Sequence, residues 1–173
     1  ACVDDRHAPD SFEVLAKHLA LNEEVDLVYG DCYQTTHPNE TFNDNSSQGA
    51  LYEHSQLEYS PENMIKCLPG PMPMWRKSMH ESAGYFREEL AHAGDWDLFL
   101  RAIDTGSVFK KVDRPIGLYY LNEEGLSTST EKFETKIKEE CEVFEAYKHI
   151  FGEANYNTFK GYFHQFDEEK DGT

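Results

Sequence analysis

From His92 to Arg101 the chain runs His92-Ala93-Gly94-Asp95-Trp96-Asp97-Leu98-Phe99-Leu100-Arg101, the most informative stretch of the sequence. Trp96, Phe99 and Leu100 recur at spacings that share one helix face. Gly94, just ahead of them, permits a sharp turn and leaves room for a ligand. Two carboxylates fall in the first turn, where the helix dipole and its unpaired amides favour negative charge. The pattern predicts a helix over 94–105, ended by Gly106, with Asp95 held ionised at its start. A charged carboxylate beside an indole suits a general base acting on a sugar hydroxyl. The same residues also describe an N-capped helix with a buried Trp.

Around this helix the sequence alternates helical and extended patterns. Asp10 and Glu13 form a capping box, and Phe12, Leu15, Ala16 and Leu19 follow at helical spacing, which predicts a helix over 10–22. Residues 25–35 are apolar and alternating, a strand. Residues 36–50 are a polar loop or hairpin tip, and 51–59 read as a short return strand. Ser60-Pro61-Glu62 opens a short helix to about residue 67. Pro69, Pro71 and Pro73 exclude helix and central strand, after which 74–76 pair briefly. A helix over 77–83 stops at Gly84, and 108–112 and 116–121 read as two strands joined at Asp113-Arg114-Pro115. Thr128-Ser129-Thr130-Glu131 is a capping box for a long helix to about residue 151. Its stripe is Phe133, Ile137, Cys141, Phe144, Tyr147 and Phe151. A second helix is expected over 153–166 and a frayed end over 167–173. There is no internal repeat.

The chain opens Ala1-Cys2-Val3-Asp4-Asp5-Arg6-His7. A short apolar run closing on two acids reads as a buried strand with carboxylates at its carboxyl end, which in open α/β sheets is where ligands sit. Paired hard oxygens there suit Mg²⁺ or Mn²⁺ bound together with a substrate phosphate.

Length and charge narrow the choice of partner. The 173 residues fit one domain, and 39% hydrophobic content is enough for a core. A net charge of −17 opposes nucleic acid and anionic membranes. It would equally oppose an anionic nucleotide, unless a cation at Asp4 and Asp5 neutralises the site locally. Many of the acids sit in the C-terminal third, where they serve solubility. Cys2, Cys32, Cys67 and Cys141 form no Cys-x-x-Cys pair, and Cys2 and Cys32 fall in predicted buried strands. They read as free thiols of a reducing compartment. With no long apolar run, a cytoplasmic location without a transmembrane segment is expected. The sequons at Asn39 and Asn45 read as chance matches in a polar loop.

The order of segments resembles glycosyltransferase family 2, the nucleotide-sugar transferases of GT-A fold. The residues carrying the resemblance are Val3 to Asp10, Val25-Asp26-Leu27-Val28-Tyr29-Gly30-Asp31, and Pro69-Gly70-Pro71-Met72-Pro73-Met74-Trp75-Arg76. Gly84-Tyr85-Phe86, Ala93-Gly94-Asp95-Trp96-Asp97 and Gly117-Leu118-Tyr119-Tyr120 complete it. It covers roughly residues 1–130. It implies an α/β fold with a GT-A-like mixed sheet flanked by helices, followed by a C-terminal helical extension over 131–173. A nucleotide-binding half is expected upstream of Ala1.

The resemblance also implies an inverting transfer of a hexose from a nucleoside diphosphate sugar to a hydroxyl of a glycan, lipid or protein. Asp4 and Asp5 become metal and donor residues, with Mg²⁺ or Mn²⁺ as cofactor, and Asp95 becomes the base. The segment from Pro69 to Trp75 is placed near donor sugar and acceptor, with Gly70 allowing close backbone approach; Arg76 is a candidate phosphate partner or a surface salt bridge, and Trp96 a candidate stacking surface or a core residue. Asp97, two positions along the helix, is read as structural. The chain departs from the family pattern twice. Cys2 stands where a further Asp is usual, and Asn122 where many members carry a His, so Asn122 is the remaining candidate metal ligand. A rival reading is a non-catalytic glycosyltransferase-like module for binding or assembly. A metal-dependent phosphohydrolase ranks last, because the eight histidines are scattered. The catalytic reading requires the carboxylates of residues 4 and 5 and of residue 95 to meet at one sheet edge.

Overall fold

The computed structural model describes residues 4–123, 125 and 132–165. Two long strands, β2 (Leu27–Thr35) and β4 (Phe109–Tyr120), lie parallel at the centre of a four-stranded mixed sheet. The short strands β1 (Arg6–His7) and β3 (Met74–Trp75) pair antiparallel at its two edges, giving the order β1-β4-β2-β3. β2 is apolar on both faces because both are covered, as a parallel pair requires. Helix α1 (Ser11–Leu21) packs Leu15 and Leu19 on Val28, Cys32, Val112 and Ile116. On the other face Leu27 and Tyr29 meet α2 (Met79–Ala83), α3 (Gly94–Asp104), α4 (Phe133–Ala146) and α5 (Lys148–Phe163).

Several sequence expectations are corrected. The strands expected over 108–112 and 116–121 are one strand. The register with β2 slips between Gly30 and Asp31 and again between Asp31 and Cys32, so that Asp31 pairs with Pro115. At such a bulge a residue without an N–H costs the ladder nothing, which is how a proline survives inside a central strand. Residues 51–59 form no return strand; Leu51 makes a single bridge to Tyr33, and Glu53–Gln56 turn into a 3₁₀ helix. The helix expected over 60–67 is a 3₁₀ turn at Glu62–Ile65. Asp10 does not cap α1 with its side chain but takes Arg114 in two bonds of 3.0 Å. The capping box at 128–131 and the tail at 167–173 lie outside the described residues.

The long C-terminal helix breaks at Tyr147, and Gly152 at φ 73° interrupts the next one. A continuous helix would separate Phe144 from Phe151 by roughly 10 Å along its axis. After the break their rings stack at 5.7 Å, and Phe163 comes back onto Phe144 at 4.4 Å. Apolar burial therefore decides the break, and α4 and α5 join the same core as α3. Gly117 permits another close approach: a Cβ there would overlap the buried Met72 side chain, which crosses β4 at that point.

No helix among the described residues is long and apolar enough to cross a membrane. Cys32 is buried, Cys67 and Cys141 are half-buried, and no disulfide joins any two of these three. Cys2 lies outside the described residues.

Candidate functional site

Beyond the carboxyl ends of β2 and β4 the two core clusters part around a cavity of about 480 Å³. Tyr52 and Tyr119 form one wall, their rings 4.8 Å apart. Trp96, Phe159, Tyr162 and Phe163 form the other, and Gly70 and Pro71 close a side. Gly70 has φ 59°, a conformation that glycine adopts without strain.

Asp95 stands at this cavity in the first turn of α3. Its side chain is reached by solvent, yet the surrounding walls remove enough water to push its carboxyl above the ordinary carboxylate value. The amides of Trp96 and of Asp95 itself pull the other way, Trp96 N donating to Oδ1 at 2.7 Å. The dipole argument from sequence is thus corrected: enclosure outweighs the helix terminus.

Asp97 has a different fate. It is fully buried, accepts the Arg101 Nε bond at 2.9 Å and faces Arg87 Nη1 at 3.5 Å. Arg101 in turn donates to the carbonyls of Ala83 and Tyr85, so Asp97 ties α3 to the chain behind it.

Trp96 does not offer an open stacking face. It is 5% exposed, packs on Phe151 and Phe163, and donates its indole N–H to Met64 O at 2.7 Å. It lines the cavity as part of the core. Arg76 is not at the cavity. Its guanidinium donates to the carbonyls of Leu19, Val25 and Asn22, where α1 ends and β2 begins. Those carbonyls carry the negative end of α1, which is why a cation settles there.

The Asp pair reaches the cavity end of the sheet by an unexpected route. The strand expected over the opening residues falls largely on residues 1–3, outside the described ones. β1 starts after the pair and runs antiparallel to β4, Arg6 facing Leu118, so Asp4 and Asp5 lie beside the carboxyl end of β4. Asp5 accepts the amide of Tyr120 at 3.1 Å, next to the cavity residue Tyr119. Asp5 is 7% exposed, and its Oδ2 is buried without a hydrogen-bond partner. Burial raises its pKa to about 6; the Tyr120 amide opposes this and the charge of Asp4 adds to it. Asn122 turns the chain just beyond β4, its carbonyl accepting Gly125 N at 2.9 Å. Among the described residues no group of three His, Cys, Asp or Glu side chains is arranged to hold a metal ion.

The polar residues at the cavity that were not singled out from the sequence include His54, Lys66, Lys136 and Glu140. His54 donates through Nδ1 to Cys67 O, and burial lowers its pKa. Lys66 lines the wall between Ile65 and Cys67. Lys136 and Glu140, one turn apart on α4 and 3.7 Å from each other, face the same space. Burial raises the carboxyl of Glu140, and the charge of Asp95 raises it further. No motif connects these residues to Asp95; tertiary packing does, and for Lys136 and Glu140 it is the fold of α4 onto α3. Comparison with models of known families and with curated proteins gives no match.

Proposed function

We propose that the chain is the acceptor-side portion of an inverting glycosyltransferase of GT-A type. It transfers a hexose from a nucleoside diphosphate sugar to a hydroxyl of a glycan, lipid or protein. The observation that carries this reading is the setting of Asp95: a solvent-reached carboxyl of raised basicity, at an aromatic-walled cavity, on the sheet end where Asp5 also lies. A base of that kind can take the proton of an attacking hydroxyl, an effect of about 10²–10⁴ in rate. The aromatic walls suit the apolar faces of sugar rings. Gly70 and Pro71 give the reactants a close backbone wall.

The cation reading has one specific support, the unpartnered Oδ2 of Asp5. Asp4 and Asp5 would hold Mg²⁺ or Mn²⁺ with the substrate phosphates as the remaining ligands, and Asn122, just beyond β4, is the further candidate ligand. When bound, the ion supplies charge neutralisation for the departing diphosphate.

The test is Asp95→Asn in the full-length protein, assayed with Mn²⁺ and a panel of nucleotide sugars. Turnover falls at least about a hundredfold if Asp95 is the base. Turnover near wild type removes Asp95 from that role. Calorimetry on the same panel addresses the rival: metal-dependent donor binding that Asp5→Asn abolishes supports the transferase, and binding indifferent to metal favours an assembly module.

A further inference from the structure

α4 lies beyond the segment that carries the resemblance, yet it grips the loop that presents Asp95. The carboxylate of Glu139 accepts three successive backbone amides: Ala91 N at 3.2 Å, His92 N at 2.6 Å and Ala93 N at 3.1 Å. Ala93 is 2% exposed, and its carbonyl accepts Asp97 N at 2.9 Å, the first bond of α3. One carboxylate therefore fixes the entry to the helix whose first turn carries Asp95. One turn further along α4, Glu142 accepts Arg87 at 2.7 Å, and Arg87 also faces Asp97. The fully buried Ile137 and Val143 seat α4 on the core on either side of these ties.

We infer that Glu139 is a positioning residue for Asp95, holding residues 91–93 so that the carboxyl of Asp95 stays inside the cavity. The chemistry requires an anion of this length. Three N–H groups aimed at one point need an acceptor with two oxygens, and a negative charge at the start of α3 is favoured by its dipole. Gln offers one oxygen and turns an N–H₂ toward donors; Asp is a methylene too short to reach. The same helix brings Lys136 and Glu140 to the cavity, so Glu139 also sets the width between α4 and Asp95.

The inference rests on Asp95 being the working group of the cavity, and its test does not depend on turnover. In the full chain, Glu139→Ala and Glu139→Gln are compared by amide hydrogen exchange at residues 91–93 and by a carbon-13 NMR titration of the Asp95 carboxyl. Glu140, which feels the charge of Asp95, and the neighbouring His92 and Lys136 are followed in the same titration. Glu139→Ala should speed exchange at His92 and Ala93 by about tenfold or more, with the β2 amides unchanged. It should also move the Asp95 midpoint down by about half a unit as water enters the cavity. Glu139→Gln should fall between Ala and wild type. A merely structural tie would alter exchange and leave the Asp95 midpoint in place, and that result overturns the inference. If Glu139→Ala does not fold, the Gln variant decides alone on the same midpoint. The Asp95→Asn assay stands separately: its failure removes the base, while the NMR result still reports whether Glu139 places that carboxyl.

Discussion

Asp97→Asn is the substitution that most directly probes how α3 is held. The wild-type carboxylate is fully buried between two guanidinium groups, with Arg101 Nε at 2.9 Å and Arg87 Nη1 at 3.5 Å. Asn keeps the shape and removes the charge, and its amide N–H₂ must face one of two cations. Breaking a buried pair commonly costs about 3–5 kcal/mol. Here the groups left behind are not wholly buried, the side chains of Arg101 and Arg87 being 21% and 34% exposed. They regain some hydration, so the loss settles at about 2–3 kcal/mol, near the value of a charge-assisted hydrogen bond. For a chain of this length that lowers Tm by about 4–12 °C. Urea unfolding followed by the fluorescence of Trp96 and Trp75 measures it. Arg87→Gln, which removes the more exposed and more distant partner, should cost under about 1 kcal/mol. An Asp97→Asn loss below that of Arg87→Gln would refute the assignment of Asp97 as the anchor of α3.

Three further outcomes are expected. Trp96→Phe leaves Met64 O without its donor inside the core and should cost about 2–3 kcal/mol in urea unfolding; a loss under about 0.5 kcal/mol would mean that the indole bond carries nothing. Gly30→Ala places a Cβ 2.9 Å from the Arg114 carbonyl and from Ile116 Cγ2 at the bulge, and should cost about 1–3 kcal/mol, with neutrality counting against the packing described. His54 has a lowered pKa in the fold, so below about pH 6.5 the unfolded chain holds more protons than the native one and stability falls as pH drops. His54→Gln should flatten that part of the pH–stability curve; an unchanged slope would place the titration elsewhere.

Much of the fold was legible because local rules and tertiary packing agreed. The apolar run at 25–35, the helix at 94–105 and the brief pairing at 74–76 all appear close to their expected limits. Where the sequence misled, a long-range contact had overruled a local signal. Pro115 argued for a break between two strands, but the register slip opposite Asp31 absorbs it. The stripe from Phe133 to Phe151 argued for one helix, but stacking on Phe144 favours a break at Tyr147. Asp10 looked like a cap, but a bidentate Arg114 far along the chain claims it. Arg76 looked free to meet a phosphate, but the carbonyls at the end of α1 fill its fork.

The sequence by itself determined which side chains stand at the start of α3, because helix periodicity and a preceding glycine are properties of neighbours. It also separated Asp95 from Asp97 by angular position. Only the tertiary structure decided that Asp97 is sealed between two arginines while Asp95 opens on a cavity. It alone brought Asp5 to the same sheet end through a strand of opposite direction, and added Lys136, Glu139 and Glu140 from a distant helix. The physical reason is one of range: helix and strand patterns are set over a few residues. Desolvation, which raises the carboxyls of Asp5, Asp95 and Glu140, is set by everything that packs around them.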